Sequence, residues 1–316
     1  MTFSRARRWA PLVVLPLLAM ALYLAARRLD LARVLVELRS VRAGWLVLAV
    51  AAYAMVLPLW ALQWRLIAPR VPNNRFREML ATVAMSASLH NTTLAFVGEG
   101  SAVLLLATRI GLDRTSAVSV LAMDQMIVGI AKVALLSTAA AMVTLPTWMA
   151  RGAETLAVVL GIVIALALVV LRNRERLHAR LPERAGAMMT KAALAVQPLR
   201  SPHITLSVLL LALAKNGMEI VALLCVQHAF GVQVPLASAV LALAALNLAT
   251  IIPVIPGNVA VFEGAIILAY AHFGVNAERA LGMALVQHAC YFVALALPGY
   301  RWLAFSNPLR SAAAAS

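Results

Sequence analysis

A chain of 316 residues that is 63% hydrophobic and 12% charged has too little polar surface to coat a soluble globule. Its mean hydropathy of +0.91 makes lipid part of its solvent. The net charge of +15 does not indicate a nucleic-acid partner, because all but two of the 27 Lys and Arg residues sit at the ends of apolar runs or in short loops.

Residues 1–44 hold an apolar run, Trp9 to Ala26, and a basic connector. Arg5, Arg7 and Arg8 precede the run as in a secretory signal, but Pro11 and Pro16 lie in its core and Arg27-Arg28 follow where a small-residue cleavage site would stand. It is read as a retained first span. Residues 45–145 hold a span, Trp45 to Leu66, a broken segment within 78–108, and a second span, Ser116 to Leu145. The break is placed at Gly98-Glu99-Gly100; the piece beyond it, Ser101 to Thr108, covers only about 12 Å of a roughly 30 Å hydrocarbon core. Residues 146–203 hold the span Ala153 to Leu171 and a basic loop, Arg172 to Arg200. Residues 204–304 repeat the earlier order. The span Ile204 to His228 precedes a broken segment, 235–273, interrupted at Pro253, Pro256, Gly257 and Asn258, and Ala280 to Ala304 closes the set before the tail 305–316.

The expected fold is all-α and polytopic, with about six full spans and two broken or re-entrant hairpins. Interrupted segments at corresponding places in two halves point to an inverted repeat of the kind transporters use. Glu99-Gly100 is followed after an apolar stretch by Gly111-Leu112-Asp113, and Glu263-Gly264 by Gly274-Val275-Asn276, with Glu-to-Gly spacings of 12 and 11. If each broken segment enters and leaves on one side, 18 positive residues share a face with both termini and 7 lie opposite. The positive-inside rule then puts both termini in the cytoplasm of a bacterial-type inner membrane.

A carboxylate in hydrocarbon needs a reason to be there, so Glu99, Asp124, Glu219 and Glu263 stand out. Glu99 and Glu263 fall at the two breaks, beside helix starts whose free N–H groups suit a phosphate or carboxylate. Each is read either as a cap that occupies those donors or as a contact for a lipid headgroup or coupling proton. Asn91, Gly98, Gly257 and Asn258 flank the same breaks. Lys215 and Glu219, four apart on one helix, are expected to neutralise each other. Lys132 has no acid on its own face, so its partner is expected from another helix, or it serves an anionic headgroup. Cys225 and Cys290 fall inside spans as packing residues. No metal spacing, nucleotide loop or nucleophile elbow is present, so neither a cofactor nor catalysis is expected.

These residues resemble the lysylphosphatidylglycerol synthase transmembrane-region family, a flippase-like membrane domain that includes hopanoid-associated proteins. The segment Pro253-Val-Ile-Pro-Gly-Asn-Val-Ala-Val-Phe-Glu263-Gly-Ala resembles the family's Pro- and Gly-rich stretch ending in Gly-x-x-Glu-Ala. Trp64-Arg65, Asn91 to Glu99 and Arg109 to Asp124 resemble further pieces, and the likeness runs from Trp45 to Trp302. The family usually carries Arg where this chain has Ala102, Gln125 and Phe262, so guanidinium groups suited to phosphate are missing there. Ala95-Phe96 replaces the usual Pro. The resemblance implies a protein that binds or moves a lipid or polyprenyl-linked headgroup between leaflets. The alternative is an accessory or scaffold subunit for a lipid-modifying enzyme or glycosyltransferase. Lysyl transfer is not expected, because no soluble aminoacyl-transferase domain follows the membrane region.

Overall fold

The computed structural model describes residues 30–93, 95–172, 201–251 and 256–305. Every regular element among them is helical. The first expected span, the loop 173–200, Pro253 and the C-terminal tail lie outside the described residues. A short amphipathic helix, α1 (Leu31–Arg39), is followed by α2 (Ala43–Ala54) and α3 (Val56–Ile67). These last two form one 25-residue apolar span. They meet at a kink at Met55, three residues before Pro58, which cannot donate to the preceding turn. Next come α4 (Phe76–Thr92) and α5 (Ala95–Leu105), the latter running into a π-helical turn, Leu106–Ile110. The long spans α6 (Arg114–Met142) and α7 (Thr147–Arg172) complete the first part.

The second part repeats this order. The span α8 (Pro202–Ala229) leads to α9 (Leu236–Ala249), a 3-10 turn at Pro256–Asn258 and α10 (Val261–Ala271). The last span, Ala277–Ala304, consists of α11 (Ala277–Tyr291), a π-helical stretch Phe292–Ala296 ahead of Pro298, and α12 (Leu297–Phe305). Among the described residues, five helical units are long and apolar enough to cross a membrane, and they coincide with five of the six runs expected from hydropathy.

Packing in the two parts corresponds element by element. α4 lies against α5, and α9 against α10; α5 touches α6, and α10 touches α11; α3 contacts α4, and α8 contacts α9. The closing spans are exchanged: α12 packs on α4, and α6 packs on α9. The two Gly-x-Asx motifs build the same turn. Gly111 (φ +83°) and Gly274 (φ +74°) take the left-handed conformation that a side chain disfavours. Two residues later Asp113 accepts the N–H groups of Thr115 and Ser116, and Asn276 accepts that of Arg279. Each thereby caps the long span that follows.

Small residues set the closest approaches. A methyl group at Gly299 would collide with the Ala84 carbonyl and the Ser88 hydroxyl, so α12 and α4 touch backbone to backbone. Across that seam Ser88 donates to the Ala296 carbonyl, and Thr92 meets the Tyr300 hydroxyl. The membrane-facing side is apolar: Val47, Val158 and Leu166 are 69%, 61% and 59% exposed.

Candidate functional site

The first interruption differs from the sequence expectation. α5 runs straight through Gly98, Glu99 and Gly100, and the preceding helix ends earlier, at Thr92 with Thr93 as its C-cap. The cause is local. Asn91, Thr92 and Thr93 turn their side chains back onto the carbonyls of Ala87, Ser88 and Leu89 at 2.8, 2.7 and 2.5 Å, so α4 closes its own last turn without Gly or Pro. Gly98 serves the return. A Cβ there would lie 2.6 Å from the His90 Cα, a distance that real side chains do not reach. Glu99 is therefore in the second turn of α5 and caps nothing; it is exposed, within electrostatic reach of His90.

The second interruption stands where expected and touches the first. A Cβ on Gly257 (φ +66°) would come within 3.1 Å of the Asn91 carbonyl, so the 3-10 turn abuts the C-terminal end of α4. Asn258 and Ala260 also take positive φ, +53° and +70°. Left-handed backbone at a non-glycine residue costs about 1–2 kcal/mol, and Ala260 shows what holds it. Its N–H donates to Glu263 Oε2 at 2.6 Å, while His288 donates from Nδ1 to Glu263 Oε1 at 2.7 Å. The His288 ring stacks on Phe262, centroids 4.3 Å apart. Glu263 thus serves as the capping-box residue of α10, the first of the two roles open to it, and its carboxylate occupies the Ala260 N–H at the start of that helix.

The other ionisable groups form a chain through the bundle. Asp124, 1% exposed, accepts from Gln63 Nε2 at 2.8 Å and Trp60 Nε1 at 3.3 Å. Lys215, 8% exposed, lies with Nζ 5.4 Å from the Trp60 ring centroid and acts electrostatically on Asp124. The expected direct pairing of Lys215 with Glu219 is not among the ion pairs of the described residues, although the two charges sense each other. Spacing put them on one face; tertiary packing gave Lys215 an indole and a second carboxylate instead.

Lys132 donates to the Asn247 carbonyl at 3.5 Å, and the acid within its reach is Glu219, from another helix as expected. The crossing of α6 and α8 is fixed beside it, where Asn216 Nδ2 donates to the Ala131 carbonyl at 3.4 Å. His90 senses both Lys132 and Glu99. Electrostatic contact therefore runs Asp124, Lys215, Glu219, Lys132, His90, Glu99, from the bundle core to the first hairpin.

Of the residues that sequence singles out for a site, the structure joins Asp124 with Lys215, Asn91 with Gly257, Gly98 with His90, and Lys132 with Glu99 through His90. Glu263 is held apart with His288, and Asn258 belongs to the strained turn before it. Glu219, expected only as the internal partner of Lys215, links the two lysines. Gln63 and Trp60 escape the sequence reading, though they hold the Asp124 carboxylate that it selects. One signal was readable: Trp60, Gln63 and Trp64 recur at helical spacing in an otherwise apolar span, presenting three polar hydrogen-bonding side chains to one side.

A family model described as the lysylphosphatidylglycerol synthase TM region matches residues 8–299. The chain belongs to this family. It is accordingly a multi-pass membrane protein of the flippase-like class, and the match takes in the first apolar run as well as the five spans described here. Comparison with curated proteins and with solved structures gives no match.

Proposed function

We propose that the protein binds the headgroup of a lipid or polyprenyl-linked lipid between its two halves and moves it across the membrane. The observation that carries this reading is the meeting of the two interrupted segments, Gly257 against Asn91, beside a series of charges that runs from buried Asp124 and Lys215 through partly buried Glu219 and Lys132 to exposed Glu99. Apolar α-helices need no such series to stay in a membrane, and each charge in hydrocarbon opposes insertion. The exchanged packing of the closing spans and the matched turns at Gly111 and Gly274 support a two-fold relation between the halves. With the segments 78–108 and 235–273 as hairpins entering from opposite faces, the relation is an inverted repeat, both termini are cytoplasmic, and the two interruptions face one site. On this reading the protein acts as a carrier; among the described residues no acid, base and nucleophile converge.

The test is reconstitution of the purified protein into liposomes carrying a fluorescent lipid in both leaflets, with dithionite quenching of the outer one. Movement should exceed that of empty liposomes, and Glu99→Gln should slow it while leaving insertion intact. A second reading, a lipid-binding subunit of a membrane enzyme, draws on Glu263, whose two oxygens are both engaged internally. Retained lipid without movement by the isolated protein would favour that reading. Unchanged quenching together with no retained lipid would exclude both.

A further inference from the structure

We propose that Lys132 and Lys215 form a phosphate-binding pair whose resting counter-anion is Glu219, so that each singly charged phosphate entering the pair is accompanied by one proton bound at Glu219. This rests on the headgroup-binding reading above and assigns its chemistry. α8 supplies Lys215 and Glu219 one helical turn apart, and α6 brings Lys132 to the same crossing, fixed by the Asn216 to Ala131 hydrogen bond at 3.4 Å. Glu219 is the acid that both lysines sense. Its carboxylate makes no hydrogen bond or direct ion pair among the described residues, unlike Asp124, which is committed to Gln63 and Trp60. Glu219 and Lys132 are partly buried, so neither is sealed in the core as Asp124 is.

Charge balance supplies the coupling. Two lysines against Asp124 and Glu219 are neutral at rest, and a phosphodiester monoanion arriving at the lysines would leave one uncompensated negative charge in hydrocarbon. A proton from hydronium or a buffer acid in solution onto a Glu219 oxygen restores neutrality: one O–H bond forms at the carboxylate, one breaks in the donor, and the donor's conjugate base stays in solution. The remaining titratable groups around Glu219 are Tyr53 of α2 and Tyr291 of α11, whose rings pack edge to face at 5.3 Å; neither offers a cation. α9 carries no titratable residue, and Arg65 of α3 is tied to the Asn74 carbonyl at 3.3 Å. Behind the lysines stand His90, beside Lys132, and Asp124, beside Lys215.

The experiment uses the full chain in an uncharged detergent, weakly buffered at pH 8, with a pH dye and calorimetry. The probes are short-chain phosphatidylglycerol, short-chain phosphatidylcholine and glycerol 3-phosphate. Phosphatidylglycerol should bind with uptake of about one proton, and its affinity should fall about tenfold per pH unit above the neutral range. Phosphatidylcholine should take up none. Glu219→Gln should abolish the uptake and flatten the pH slope, and Lys132→Met should abolish binding. Phosphatidylglycerol binding without proton uptake overturns the proposal and leaves the headgroup reading standing; the unaltered chain alone decides this, even if a variant fails to fold. Proton-linked binding of glycerol 3-phosphate but of neither lipid keeps the phosphate pair and overturns the headgroup reading. Binding of no probe overturns both.

Discussion

Gly98 and Gly100 are two residues apart on α5 but differ in what a methyl group would meet. At Gly98 the new Cβ would lie 2.6 Å from the His90 Cα, 2.9 Å from its Cβ and 3.1 Å from its backbone nitrogen. Two of these are backbone atoms of α4, so no side-chain rotation relieves the clash and the hairpin must open. Overpacking of this kind costs about 1–3 kcal/mol, against a gain of roughly 0.5–1 kcal/mol from replacing Gly in a helix. At Gly100 nothing lies within 4 Å, so only the gain remains. Gly98→Ala should therefore lower the melting temperature in detergent by about 2–4 °C, and Gly100→Ala should leave it unchanged or raise it slightly. Cys225 and Cys290 are free and buried, so a thiol-reactive fluorogenic dye reads unfolding of the native chain directly. Equal or higher melting of Gly98→Ala relative to Gly100→Ala would refute the backbone contact on which the hairpin geometry rests.

Asp124→Asn keeps an acceptor for Gln63 and Trp60, whereas Asp124→Ala leaves buried Gln63 and partly buried Trp60 without it; the alanine variant should be the less stable, by about 1–3 kcal/mol, in the same melting assay. The Asp113 carboxyl is held below the usual carboxylate range, first by the Ser116 hydroxyl and then by backbone N–H groups. Its cap on α6 is therefore fully present above the ordinary Asp range and is lost as pH falls through the lowered value. Asp113→Ala should cost at most about 1 kcal/mol at neutral pH and little in acid, compared by melting across pH. For topology, Ala185→Cys in a chain lacking Cys225 and Cys290 should be labelled from the cytoplasm by a membrane-impermeant maleimide. Labelling from the periplasm alone would invert the proposed orientation.

Hydropathy located the membrane-crossing units well because a span is a property of composition over some twenty residues, which no local packing can change. The second interruption was equally plain, since Pro256 lacks a donor and Gly257 favours positive φ. The first was displaced by about five residues. Gly98-Glu99-Gly100 looks like a break on propensity alone, yet Gly98 is there to admit α4, and the turn is made by hydroxyl and amide side chains bonding back to their own helix. The site was legible as an inventory of charges and not as a set of partners. The four-residue spacing of Lys215 and Glu219 gave their shared face, but Trp60 and Asp124, about 155 and 91 positions away in the chain, decided where the ammonium rests.

The exchange of closing spans also governs the order in which the molecule can be finished. α4 leaves the ribosome long before α12, and the partners that its Ser88 and Thr92 meet across the seam, Ala296 and Tyr300, come 208 positions later. Until then the seam against Gly299 stands open, with Ala84 and Ser88 facing lipid, a translocon wall or an insertase. The hairpin that enters first is thus completed last. A nascent chain released before residue 297 carries an unsealed groove in its amino-terminal half, a ready mark for membrane quality control to recognise.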